Sequence, residues 1–205
     1  MNKLIAKHYD ALLSEGNDPV HDPEPLKAYM DKWDGQKFID KMKLDKTKSV
    51  LEIGVGTGRV AVRVAPFCER FVGVDISERT IAQAKENMKN CNNVYLVRGD
   101  FFQIEFEEKF DVVYSSLTFI HIEDKQEAIN KAFSLLKNDG RFVLSTDKNQ
   151  NDTIDAGFTK IKIFPDNPDN IRACIEKSGM KLEEQYETEF AHIFVAIKQC
   201  EVISR

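Results

Sequence analysis

No Cys-x-x-Cys pair occurs in the sequence, and none of its four cysteines (Cys68, Cys91, Cys174, Cys200) has a histidine at zinc-finger spacing. This argues against a structural zinc site, and no metal is expected. Scattered thiols fit a reducing compartment, so a cytoplasmic protein is expected. No apolar run is long enough to cross a bilayer. The opening "MNKLIAKHYD" holds only a three-residue apolar run, too short for a secretion signal, and no membrane partner is expected. Repeats and low-complexity tracts are missing. Positive charge is in deficit, with 29 Lys and Arg against 34 Asp and Glu. A net charge of −5 argues against a phosphate backbone as partner. The densest basic stretch, Lys41, Lys43, Lys46 and Lys48, is interrupted by Asp45 and reads as a solvated helix end and linker.

What is present is an ordinary globular balance, 42% hydrophobic and 31% charged, over 205 residues, enough for one domain with a substantial core. Residues 1–48 read as helical with one break. "KLIAKHYDALLSE" places Leu4, Ile5, His8 and Leu12 at helical spacing, "GNDPVHDPEP" is a loop, and "LKAYMDKWDGQKFIDKM" resumes the helical pattern. His8 and His21 read as surface or loop residues. From Ser49 onward strands and helices alternate. "SVLEIGV", "RFVGVDI", "NVYLVR", "FDVVYSS" and "RFVLSTD" are strands. Between them lie a short helix stopped at Pro66, a helix capped by Ser77, and an amphipathic helix ending at Asp139-Gly140. Such alternation predicts an α/β fold, a parallel sheet doubly wound with helices on both faces. After a last helix, "PDNIRACIEKSG", two strands with little between them can pair only as an antiparallel hairpin.

The turn after the first strand, "VLEIGVGTGRV", carries a carboxylate, Glu52, and three alternate glycines, Gly54, Gly56 and Gly58. Ligands of open parallel sheets bind at such strand ends, and glycines allow positive φ and close approach. A dinucleotide turn wants Gly-x-Gly-x-x-Gly, but Arg59 stands where the third glycine would fall. A phosphate loop would need Gly-Lys-Ser/Thr, also missing. Glu52 would repel a pyrophosphate and suits a ligand with a positive group.

Glu52-x-Gly54-x-Gly56-x-Gly58 resembles the glycine-rich motif of the class I S-adenosylmethionine-dependent methyltransferases. "FVGVDIS" with Asp75, "VRGDFF" with Asp100, "FDVVYSSLTFIHI" and "LKNDGRFVLS" resemble that family's later landmarks, in order, over roughly Ser49 to Ser145. The resemblance implies a mostly parallel seven-stranded, Rossmann-like sheet and S-adenosylmethionine as cofactor. It further implies that Glu52 and the turn Gly54–Gly56–Gly58 hold the amino-acid end. Asp75 would take the ribose hydroxyls and Asp100 the adenine amino group, with Ile76 and Phe101 flanking the adenine and Ser116 near the amino-acid end. Taken singly, Asp75 reads equally as a helix cap, Asp100 as a turn residue, and Ile76 and Phe101 as core.

For the transfer itself, His121 resembles a histidine common after the fourth strand in small-molecule members, and Tyr9 an N-terminal tyrosine near the cofactor. Structural alternatives stand beside both: a loop-bonding histidine and an amphipathic-helix tyrosine. The loop Ser115-Ser116-Leu117-Thr118 lacks the Asn/Asp-Pro-Pro-aromatic motif of base amino-group methylation, and no cysteine sits in a nucleophile loop. The expectation is a methyltransferase acting on a small-molecule acceptor, with no nucleic-acid partner, as a monomer or homodimer. Residues 1–48 would form a helical lid and residues 49–205 the catalytic domain. The rivals are a non-catalytic cofactor-binding regulatory module, another use of the same cofactor, and a nicotinamide oxidoreductase.

Overall fold

Five consecutive buried residues, Ser49–Ile53, form strand β1 at the middle of the sheet. A strand covered on both faces needs a nearly continuous apolar run, which Val50, Leu51 and Ile53 supply. In this computed structural model, which describes residues 2–200, β1 pairs in parallel with β2 (Arg70–Asp75) and β4 (Phe110–Ser116). Strand β3 (Val94–Arg98) extends the sheet beyond β2, and β5 (Leu136–Asp147) extends it beyond β4, both parallel. The last two strands, β8 (Met180–Glu187) and β9 (Ala191–Lys198), form an antiparallel hairpin with β9 against β5. The order is β3-β2-β1-β4-β5-β9-β8, the seven-stranded architecture expected from the sequence. Chain direction across the sheet reverses between β1 and β4, so a crevice opens at their C-terminal ends. Met1 and residues 201–205, at the outer ends of the two expected segments, lie outside the described residues.

Both faces carry a core. On one, Leu51, Ile53, Val113 and Phe142 meet α6 (Lys125–Leu135) and α7 (Pro168–Lys177). On the other, Val50, Phe71 and Tyr114 meet α4 (Ala61–Val64) and α5 (Glu78–Asn87). The caps are side-chain acceptors: Ser77 takes the Thr80 N–H and Asp124 the Glu127 N–H.

Three local expectations need correction. Helix α6 stops at Leu135 rather than at Asp139-Gly140, because the fully buried Leu136 pairs with Phe110 and opens β5. Helix α2 (Glu24–Met30) begins inside the expected loop, with Pro23 as its N-cap and Pro25 in its first turn. In and just after helix α3 (Gly35–Asp40), Phe38 and Met42 are fully buried in the core. His8, on α1 (Asn2–Ser14), is buried rather than exposed, with Nδ1 3.3 Å from Thr159 Oγ1. Thr159 belongs to a small hairpin, β6 (Thr153–Asp155) and β7 (Lys160–Lys162), against which α1 packs.

Candidate active site

The three glycines do three different things. The N–H groups of Gly54 and Val55 both donate to Val74 O at 2.9 Å, bending the chain across the end of β2. Gly54 has φ +79°, and a Cβ there would lie 1.9 Å from Thr118 Oγ1. Gly56, with φ +55°, donates its N–H to Asp75 Oδ2 at 2.9 Å, and a Cβ there would meet nothing within 4 Å. Its missing side chain leaves open space on the ligand side of the turn. Gly58 has φ +98°, and a Cβ there would lie 3.3 Å from Met88 Sδ at the end of α5.

The crevice is a cavity of about 950 Å³ between the strand ends and α1 and α2. That volume lies at the upper end for small-ligand sites. Apart from Gly58, every residue singled out from the sequence lines it: Tyr9, Glu52, Gly54, Gly56, Asp75, Ile76, Asp100, Phe101, Ser116 and His121. Glu52 is buried and accepts from Tyr114 O–H at 2.7 Å. Burial pushes its carboxyl up to about 8, with the Tyr114 bond pulling the other way. Burial also raises Asp75, against the hydrogen bonds it accepts from Gly56 N–H, Ser77 N–H and Thr80 O–H. Asp75 thus scaffolds the turn as well as facing the cavity. Asp100 accepts from Phe102 N–H at 3.0 Å. Phe101 is 7% exposed and packs on Phe102 and Phe106, so it serves core and cavity together.

One ion pair behind the wall was not read from the sequence. Asp34 is buried and paired with the Arg59 guanidinium, and it accepts from Ser116 O–H at 2.6 Å. Burial opposes its ionisation, but Arg59, Ser116 and the Gly35 N–H outweigh that and hold the carboxyl below its usual range. Asp34 is delivered by its neighbour: Trp33 O accepts from Ser145 O–H at 2.7 Å, and Trp33 Nε1 donates to Asp147 at 3.2 Å. The available signal was Arg59 directly after Gly58, a cation at a turn whose ligand side is otherwise acidic.

On the opposite side, Tyr9 on α1 meets His121 in the turn after β4, Oη to Nε2 at 2.6 Å. With the imidazole neutral and its proton on Nδ1, the Tyr9 O–H donates to Nε2; the opposite tautomer reverses the bond. His121 Nδ1 has no hydrogen-bond partner among the described residues. Burial, with His8 and Lys125 adding to it, lowers the imidazole to about 4, while burial and Asp75 raise the Tyr9 phenol. The His121 turn is pinned by Lys125, which donates to Phe119 O and to Phe164 O and lies 2.7 Å from Asp166 Oδ1.

A family model described as a methyltransferase domain matches residues 44–192. The chain belongs to this family. Curated relatives of the family include an uncharacterised methyltransferase of Staphylococcus carnosus, 34% identical over 144 residues that cover 69% of this chain and 64% of that protein. The glycine/sarcosine N-methyltransferase of Aphanothece halophytica is 27% identical over 169 residues, covering 73% of this chain and 63% of that protein. For the relatives it matches, the chain spans between 36% and 64% of their length. Among solved structures, the N-methyltransferase NodS from Bradyrhizobium japonicum, bound to S-adenosylhomocysteine, superposes with TM-score 0.67 at 16% identity, covering 92% of this chain and 97% of that one. The [4+2]-cyclase SpnF superposes with TM-score 0.77 at 12% identity, covering 97% of each chain. Both share the fold of a class I S-adenosylmethionine-dependent methyltransferase. S-adenosylmethionine is the cofactor, and the residues present fit it. The vacated Cβ position of Gly56 makes a cradle, and Glu52, Asp75 and Asp100, at or just beyond the ends of β1, β2 and β3, suit a ligand that presents an ammonium, a diol and an amino group. No helix among the described residues is long and apolar enough to cross a membrane.

Proposed function

We propose that this chain transfers a methyl group from S-adenosylmethionine to a small-molecule acceptor held between α1, α2 and the strand ends. When bound, the cofactor supplies an electrophilic methyl carbon on a sulfonium. Glu52 and the backbone of Gly54 and Gly56 would hold its amino-acid end, with Ser116 alongside. Asp75 would bind the ribose, and Asp100, Ile76 and Phe101 the adenine. Tyr9 and His121 would face the acceptor. Because the methyl donor is already activated, the protein's main task is alignment, which can contribute roughly 7–11 kcal/mol.

The observation that carries the small-molecule reading is the roof. Helices α1 and α2 bring Leu12, Leu13, Leu26 and Met30 over the cavity, which leaves a compact, largely apolar space beside the strand ends. The fold shared with a cyclase is why the site, and not the fold, has to support the reaction. The test is a metabolite panel read by S-adenosylhomocysteine release, with calorimetric binding of S-adenosylhomocysteine alongside. Release with at least one acceptor supports transfer. Binding without release across the panel favours a regulatory module, and no binding at all sinks both.

A further inference from the structure

The part of the cavity lining supplied by the end of α1, the loop before α2 and the turn into α6 is charged with one sign. Glu15, Asp22, Glu123, Asp124 and Glu127 line it, and the lining's cation among the described residues, Arg59, is closed into its pair with Asp34. Apolar groups such as Leu12 and Leu26 lie between them.

Resting on the methyl-transfer function above, we propose that the acceptor is a primary or secondary amine with an apolar body, its nitrogen seated against the Tyr9 oxygen. A carboxylate acceptor would enter a wall of carboxylates with no unpaired cation to hold it, and like charges repel most strongly in a cleft walled by protein. An alcohol must give up its proton as its oxygen is methylated, so it needs a base. The one imidazole in the wall has no carboxylate on Nδ1 to stabilise an imidazolium, and Lys125 nearby opposes that charge. His121 is thus a poor base and a good fixed acceptor for the Tyr9 O–H.

An amine asks for neither. Its lone pair forms the new carbon–nitrogen bond, and the electron pair of the broken carbon–sulfur bond stays on sulfur. The product leaves as an ammonium carrying the positive charge that the sulfonium had. An amine that arrives protonated first releases one proton to water. In the tautomer with the proton on Nδ1, the Tyr9 hydrogen is committed to His121 and its oxygen offers lone pairs to the cavity. It can therefore accept an amine N–H and leave the nitrogen lone pair to point elsewhere. The carboxylate wall draws cationic amines in from solution.

Phenethylamine, hydrocinnamate and phenethyl alcohol share one apolar body and differ in head group. Calorimetry on protein first saturated with S-adenosylhomocysteine, at mildly alkaline pH and physiological salt, should find the amine at least about tenfold tighter than the carboxylate, and tighter than the alcohol. The double variant Glu123→Gln/Glu127→Gln should narrow the gap between amine and carboxylate by about threefold or more. A carboxylate that binds as well as the amine, three ligands without a preference (undetectable binding of all three included), or an unchanged gap in the double variant overturns the proposal. Failure of the cofactor assignment shows separately, as missing S-adenosylhomocysteine binding in the first titration.

Discussion

Tyr9 and His121 stand 112 residues apart in the chain, and their side chains meet at 2.6 Å across the mouth of the cavity. The bond ties α1 to the loop after β4. Tyr9→Phe removes it while keeping the ring. Turnover should fall about 10- to 100-fold, with S-adenosylhomocysteine affinity changed less than about twofold. Steady-state kinetics beside calorimetry reads the two separately, and a silent variant would mean that Tyr9 is packing.

Glu52 is the group through which cofactor binding should move a proton. Its carboxyl is raised to about 8, so near neutral pH the free protein holds it mostly protonated. An ammonium placed beside it favours the carboxylate, and binding should release about one proton or somewhat less. Calorimetry in phosphate and in Tris will then give different apparent heats, and Glu52→Gln will remove the difference. The same shift bears on stability. A pKa raised from 4.5 to about 8 contributes stability in full below pH 4.5, which is lost as pH rises through 8. Denaturation midpoints of Glu52→Gln should fall less than wild type across that window.

Asp34→Ala leaves Arg59 charged, enclosed and unpaired. Removing one partner of such a pair costs about 3–5 kcal/mol. For a chain of this size the melting temperature should drop by roughly 6–20 °C. Differential scanning calorimetry checks it, and a drop below about 2 °C would contradict the enclosed pair.

Asp75→Ala should weaken S-adenosylhomocysteine binding by about 2–4 kcal/mol. Part of that loss comes from the turn itself, since Gly56, Ser77 and Thr80 all lose an acceptor. Binding calorimetry and a melting curve on the same variant should therefore both shift. Affinity within twofold of wild type removes Asp75 from the site.

The N-terminal segment should split in two by hydrogen exchange. Residues 2–30, which include the roof helices, should gain protection when S-adenosylhomocysteine is added. Residues 35–42, with Phe38 and Met42 fully buried, should be protected throughout. Equal protection of residues 2–30 with and without ligand would make α1 and α2 static packing.

Legibility followed the range of the forces involved. Glu52, Gly54, Asp75 and Asp100 stand at strand ends or just after them, where a few neighbouring residues set the geometry, so motif spacing was enough to find them. Asp34 sat unremarked in a stretch with a helical pattern; its burial depends on Trp33 reaching Ser145 and Asp147, more than a hundred residues on. Gly58 keeps the motif's spacing, and what spacing did not announce is that a side chain there would also crowd Met88 at the end of α5. The end of α6 was misjudged for a similar reason: local pattern favoured more helix, and the pairing of Leu136 with Phe110 prevailed. The β6–β7 hairpin has strands of three residues each, too short for an alternation to register.

Thr118 fills the place where a side chain on Gly54 would be, and three residues later the same loop presents His121. The floor of one compartment is therefore keyed into the hinge of the other, like a tooth in a notch. Anyone remodelling the chain for a new acceptor would find the Thr118–His121 loop an unforgiving place to start, because each change there is transmitted to the glycine turn. The roof leucines carry no such key. Leu12, Leu13 and Leu26 can be exchanged for larger or smaller groups while Gly54 and its neighbours stay where they are, which makes the roof the natural dial for acceptor scope.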